Sequence, residues 1–218
     1  MNTKEKTPML ETLIEEVMQT PQESEQERLE VSAKVSELRK YKMDAHVLRV
    51  AHTAELLAKA AGLNEKIQDV AFHASQLYDI GKTNISDEIL LKSDKLTSDE
   101  FETIKKHAQA GYDILKYSQN AYLKAAAVVA YSHHEKFDGS GYPMGLSGEA
   151  IPALGRIVAI VDVFEALTHK RPYKEAWSIE EANLVLMSQK GKHFDPNLVD
   201  IFMQNLEEIK SIQARFTD

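Results

Sequence analysis

Cysteine is absent from the 218 residues. Disulfides and thiolate metal sites are therefore excluded, and the composition fits a reducing compartment, so a cytoplasmic location is expected. Long apolar runs are missing too. The longest, residues 125–130 and 157–161, fall far short of the roughly 20 residues that a membrane-crossing helix needs, so no membrane is expected as partner. Lys4 and Lys6 near the N-terminus are followed by no apolar signal core. Surplus positive charge is lacking as well: 26 Lys and Arg against 34 Asp and Glu leave a formal net charge of -8. That disfavours binding to duplex nucleic acid, which rests on broad basic surface. It does not exclude a small phosphate ligand, for which a few local cations or a metal ion suffice. Internal repeats, low-complexity tracts and sustained heptads are also absent.

What remains is helical periodicity. Leu10, Leu13, Ile14 and Val17 mark a short amphipathic helix, residues 21–27 a polar linker or helix break, and residues 28–42 a second helix. From Asp44, a candidate N-cap, the apolar side Val47, Val50, Ala51, Ala54, Leu57 and Ala58 predicts a helix that stops at Gly62. Asn64 can cap the next one, reaching toward Tyr78. Thr97 with Glu100 and Ser178 with Glu181 have capping-box spacing, and Asp195-Pro196 supplies a cap followed by proline at the first helical position. Strand alternation is scarce, so the expected class is all-α. The expected division is an N-terminal helical extension and linker over residues 1–34, too short for a separate folded domain, and one domain over residues 35–218. The first helix is expected to pack on that domain or to support a homodimer. The glycine-dense stretch 138–145 must be a shaped loop.

Eight histidines carry the main chemical signal. His46 lies in an apolar helical stretch, Asp79 follows a helix, and His107 sits in the helix opened by Thr97. His133 and His134 end an apolar helix, and Asp162 interrupts the apolar run that begins at Ile157. A carboxylate in apolar surroundings is costly unless it is paired or bound to metal. Taken singly, each of these residues is better read as a cap, a surface group or a satisfied core residue. As a set they fit first-row divalent metals, which imidazole and carboxylate ligands suit.

The strings YDIGK at 78–82, HHEKFDGSGYP at 133–143, VDVFEAL at 161–167, RPYK at 171–174 and KHFDP at 192–196 resemble the HD-GYP branch of the HD phosphohydrolases, over roughly residues 35–205. The resemblance implies an HD-domain helical bundle with a GYP loop. It also implies metal-dependent hydrolysis of cyclic di-GMP to pGpG or GMP, in bacterial second-messenger signalling. Residue by residue, it makes His46 and Asp162 ligands of a first metal and Asp79 the bridging aspartate. It makes His107, His133 and His134 ligands of a second metal, with iron or manganese the expected ions. Lys82, with Asp79 in the catalytic role, would contact phosphate. Arg171 and Lys174 would hold the ligand's phosphates, and Tyr142 of the GYP loop would contact the ligand. The resemblance also associates that loop with a diguanylate cyclase (GGDEF) domain, for which Phe137 and Met144 would offer apolar surface.

Two positions depart from the family pattern. The HD pair reads Tyr78-Asp79, so one metal-ligand histidine is replaced. Lys42, one turn before His46, stands where three-metal members carry a glutamate, so one or two divalent metals and no third are expected. Tyr78 could ligate as a phenolate, at the cost of a proton with an ordinary pKa near 10, or fill the space and hydrogen-bond Asp162. His52 and His73 are expected to be misdirected, and His169 and His193 receive no ligand role. Three functions remain open at this level: a phosphodiesterase impaired at one ligand, a non-hydrolysing cyclic di-GMP sensor, and an interaction scaffold.

Overall fold

A computed structural model describes residues 30, 31, 34, 44–92, 94–169 and 175–217. The expected helices over residues 10–17 and most of 28–42, the polar stretch 21–27, Lys42, Arg171 and Lys174 lie outside the described residues.

The described chain is helical, with two isolated bridges and no named strand among the described residues. Its helices are α1 (Asp44–Ala60), α2 (Glu65–Ser75), α3 (Asp87–Leu90), α4 (Ser98–Leu115), α5 (Ala121–Ser132), α6 (Ala153–Thr168), α7 (Ile179–Ser188), α8 (Pro196–Gln204) and α9 (Leu206–Arg215). Short 3-10 turns cover Ile80–Asn84 and Gly148–Ala150. No described helix is long and apolar enough to cross a membrane.

Local chemistry sets most of the boundaries. The Oδ1 of Asn64 accepts from the Ile67 amide at 3.0 Å. Thr97/Glu100 and Ser178/Glu181 both close complete capping boxes. Asp195 caps α8 through the amides of Asn197 and Leu198, with Pro196 opening the helix. Gly62 stops the chain after α1 at φ +76, a conformation that glycine adopts without penalty. One boundary differs from expectation. α2 ends at Ser75, short of Tyr78, because the chain tightens into turns: Leu77 bonds back to Ala74 and Ile80 back to Leu77.

α5 reads apolar nearly all round, and all of its residues except Lys124 are buried. α4, α2 and α6 pack against it, and α1 packs on both α2 and α6. Val50, Leu57, Tyr122, Val129, Ile157, Ile160 and Phe164 belong to this core. Val31, ahead of α1, is buried in the same core, and Glu30 accepts from the Asn120 side chain at 3.1 Å.

Two close approaches position the chemistry. A Cβ on Gly81 would lie 1.9 Å from the His107 carbonyl oxygen, so only glycine lets the turn after Asp79 rest on the α4 backbone. That contact brings Asp79 to His107. In the loop after α5, buried Glu135 accepts from the amides of Met144 at 2.6 Å and Leu146 at 2.9 Å, folding the loop back on itself. The expectation that Met144 offers apolar surface is corrected by this arrangement. The turn pinned by Glu135 carries Met144 and Leu146 into the core, each 7% exposed, while Phe137 is half-buried.

Candidate metal centre

Five segments deliver the singled-out side chains to one region. α1 brings His46, the turn after α2 brings Tyr78 and Asp79, α4 brings His107, the end of α5 brings His133 and His134, and α6 brings Asp162. They separate into two halves.

In the first half, His107, His133 and His134 each offer a nitrogen, and these atoms all lie within 4.8 Å of one another. The Nε2 atoms of His107 and His133 are 3.3 Å apart. Oδ1 of Asp79 is 3.5 Å from the first and 4.0 Å from the second. The opposite ring atoms are committed. Nδ1 of His107 faces the Ile104 carbonyl at 2.6 Å, and Nδ1 of His133 faces the carbonyls of Val129 and Ala130 at 3.1 and 3.0 Å. A carbonyl only accepts, so Nδ1 carries the proton in both rings and Nε2 presents a lone pair. Burial lowers the pKa of His107, that of His133 to about 4, and that of His134 well below the ordinary value, so the rings are neutral at pH 7. Two lone pairs and a carboxylate oxygen converging in a buried site call for a cation, and the donor set is one that first-row divalent metals accept. Backbone carbonyls orienting the rings through their far nitrogens are the usual outer support of a metal-binding histidine. The residues present therefore fit a metal ion.

The second half is organised differently. Nε2 of His46 lies 3.1 Å from the hydroxyl oxygen of Tyr78, and that hydroxyl donates to Oδ1 of Asp162 at 2.7 Å. The expected Tyr78–Asp162 hydrogen bond is present, with His46 on the other side of the same oxygen. Nδ1 of His46 lies 3.3 Å from Oε2 of Glu165. Glu165 is fully buried among further donors: Arg49 Nε at 3.0 Å, His169 Nδ1 at 3.3 Å and the Gln213 amide. Burial alone would raise its pKa. The hydrogen bond from His46, the charge of His169, the Gln213 bond and the charge of Arg49 outweigh it and hold the carboxyl below its ordinary value.

Around both halves, Lys82 donates to Oδ2 of Asp79 at 2.5 Å. The Tyr142 ring stacks on His134 with centroids 4.8 Å apart, and the Lys105 ammonium lies 5.5 Å from the centroid of the same Tyr142 ring. His52 packs between Phe72 and Phe216, and His73 lies beside Asp69 and Tyr122, so each is engaged elsewhere. His193 lies flat on Phe194. Glu165, Arg49 and Glu135 were missed in the sequence. Glu165 had one visible signal: three residues after Asp162 in an apolar helix, it shares that residue's face.

Comparison with known proteins agrees with this architecture. The model of the HD domain family matches residues 10–198. The chain is 41% identical to the cyclic di-GMP phosphodiesterase response regulator RpfG of Xanthomonas campestris pv. campestris, over 99% of this chain and 57% of that protein. It is 44% identical to the 3'3'-cGAMP-specific phosphodiesterase 2 of Vibrio cholerae, over 85% of this chain and 36% of that one. It thus spans less than two thirds of either relative's length. A crystal structure of a cyclic GMP-AMP-specific phosphodiesterase of V. cholerae, V-cGAP3, superposes with a TM-score of 0.62 at 21% identity, covering 85% of this chain and 50% of that one, which speaks to the fold. A family match over most of the sequence and a helical bundle that gathers histidines around the aspartate of the altered HD pair lead to one assignment: the chain belongs to the HD domain family, in its HD-GYP branch.

Proposed function

We propose that this chain is a metal-dependent phosphodiesterase of cyclic dinucleotides, with cyclic di-GMP the first substrate to test. The observation that carries the reading is the convergence of the His107 and His133 Nε2 atoms on Asp79, 3.3 to 4.0 Å apart, with both rings locked in the ligating tautomer. His107, His133, His134 and Asp79 would hold the ion. When bound there, a divalent cation supplies Lewis-acid chemistry, polarising a phosphoryl oxygen and acidifying water.

The chain's own residues supply the rest. Asp79 gathers the imidazoles and Lys82 about one carboxylate. Lys82 is 29% exposed at its side chain and has three donors, so it can keep its bond to Asp79 and still meet a substrate phosphate. Tyr142, laid flat on His134, presents an aromatic face and a hydroxyl beside the centre, suited to a nucleobase or ribose. Arg171 and Lys174 are assigned to the substrate phosphates on the RPYK motif, where a guanidinium fork and an ammonium suit two phosphodiesters. The relatives' names divide between cyclic di-GMP and 3'3'-cGAMP, so both belong in the assay.

The test is hydrolysis of each dinucleotide by the purified chain, loaded anaerobically with iron(II) or manganese(II), with and without chelator. Chelator-sensitive turnover supports the reading. Binding without turnover would favour a second reading, a non-hydrolysing sensor, whose specific support is the Tyr78 hydroxyl set between His46 and Asp162.

A further inference from the structure

We infer that this chain holds one metal ion, not two, because the Tyr78 hydroxyl takes the position between His46 and Asp162 and ties them, with Glu165, into a metal-free hydrogen-bonded chain. The inference rests on the proposed centre at His107, His133 and His134, and concerns what stands beside it.

Tyr78 oxygen lies 3.1 Å from the His46 nitrogen and 2.7 Å from the Asp162 oxygen. These are hydrogen-bond separations, and they use the two atoms that a cation between the residues would need. An ion bonded to both would sit roughly 2.0–2.2 Å from each, within bonding reach of the phenol oxygen. That point is already filled by the phenol oxygen, whose proton is directed to Asp162.

The ring has little freedom to leave. Tyr78 is 3% exposed and belongs to the core cluster, and its ring meets His133 edge-on with centroids 5.0 Å apart. The tyrosine is therefore a wedge between the two halves, packed against a ligand of one while bridging the other. His46 is held from behind as well: its Nδ1 faces Glu165, and the same carboxylate receives Arg49, His169 and Gln213. These contacts fix the His46 ring with its Nε2 facing the Tyr78 hydroxyl. Among the described residues, the His107, His133 and His134 group alone gathers three ligand atoms closely enough for a metal.

The decisive experiment counts metal per chain. The purified protein and Tyr78→His would be loaded anaerobically with manganese(II), freed of excess metal and measured by elemental analysis. One ion per natural chain and two per Tyr78→His chain is the expected result. Two per natural chain would overturn the inference while leaving the proposed centre intact. None in the natural chain would overturn both. One in each variant would show that Tyr78 does not set the number.

Should Tyr78→His fail to fold, the count in the natural protein still decides, since two ions per natural chain overturn the inference whatever the variant does. Spectroscopy adds a readout independent of counting. Iron-loaded natural protein, oxidised to iron(III), is expected to show no tyrosinate charge-transfer band in the visible region. Its appearance in both the natural protein and Tyr142→Phe would show that Tyr78 is a ligand and would sink the inference.

Discussion

The two halves of the site are built from the same residue types, yet they do opposite things with them. In one, α4 and the end of α5 turn the nitrogens of three neutral imidazoles toward one another, with buried His107 and His133 also facing Asp79. In the other, α1 and α6 bring His46 and Asp162 just as near a common point, and a phenol stands on it. A cation site is thus decided less by the number of ligand-type residues than by what occupies the point where their lone pairs meet. Repelling lone pairs create demand for a positive charge; a hydroxyl that bridges an imidazole and a carboxylate removes it.

The sharpest way to break the contrast is at the carboxylate that gathers the first half. Asp79→Asn keeps the shape but removes the charge facing His107, His133 and Lys82. Loss of an outer support alone costs roughly 10–100-fold in metal affinity, so loss of this charge is expected to exceed ~100-fold, with hydrolysis falling in step. Titration calorimetry with manganese(II) checks it. Unchanged affinity would mean that the three imidazoles suffice and that Asp79 belongs to Lys82.

The other half should answer a comparable change through stability. Glu165→Gln leaves Arg49 and His46 in a buried cluster without its anion. Breaking one side of a buried ion pair costs about 3 kcal/mol, readable by denaturant unfolding of the metal-free protein. Metal affinity at the histidine cluster should stay within about threefold of the natural value. A large drop in affinity with little loss of stability would reverse the roles assigned to the two halves.

Why Glu165 had to be seen rather than read is instructive. Capping signals are local: Thr97 with Glu100, Ser178 with Glu181 and Asp195 with Pro196 carry their partners within three residues, so the sequence displays them. The all-α class followed from such signals together with the helical periodicity. Asp79, His133, His134 and Asp162 stood out because the quoted motifs contain them, and the Tyr78–Asp162 bond was expected because a phenol in place of a ligand imidazole can fill its space. Glu165 instead meets Arg49 from 116 positions away and Gln213 from 48. Glu135 and Met144 sit in a loop whose inward turn depends on two amides reaching one buried carboxylate. In each case the letter is the same whether the residue is solvated or buried, and only packing decides.

Acid separates the halves in a third way. His133 has a folded pKa of about 4 against an ordinary 6.5, lowered chiefly by burial and then by its neighbour His107. As pH falls below 6.5 the unfolded chain takes up a proton that the folded chain refuses, so stability is lost progressively down to about pH 4. The ceiling is about 3 kcal/mol at 1.36 kcal/mol per unit. Glu165 behaves otherwise: its folded pKa is held below 4.5, so its contribution is present above that value and is lost only at still lower pH. Melting temperatures of chelator-treated protein should therefore fall between pH 6.5 and 5 from the histidine half, joined by His193, whose pKa burial likewise lowers to about 4, and not from Glu165. A flat profile there would mean that the rings are not buried neutral.

The smallest expected effect lies at the edge of the first half. Tyr142 touches His134 through its ring, and such a contact is worth about 1 kcal/mol whether or not a hydroxyl is attached. Tyr142→Phe should accordingly leave the melting temperature and the manganese affinity nearly unchanged. If the hydroxyl contacts the dinucleotide, as proposed, the variant loses one neutral hydrogen bond, about 0.5–1.5 kcal/mol, which appears as a rise in KM of roughly two- to tenfold. Tyr142→Ala should add a loss of stability, because the stack on His134 goes with it. Kinetics identical to the natural protein in Tyr142→Phe, with a destabilised Tyr142→Ala, would instead make this tyrosine a packing residue that shapes the loop beside the ligands without touching the substrate.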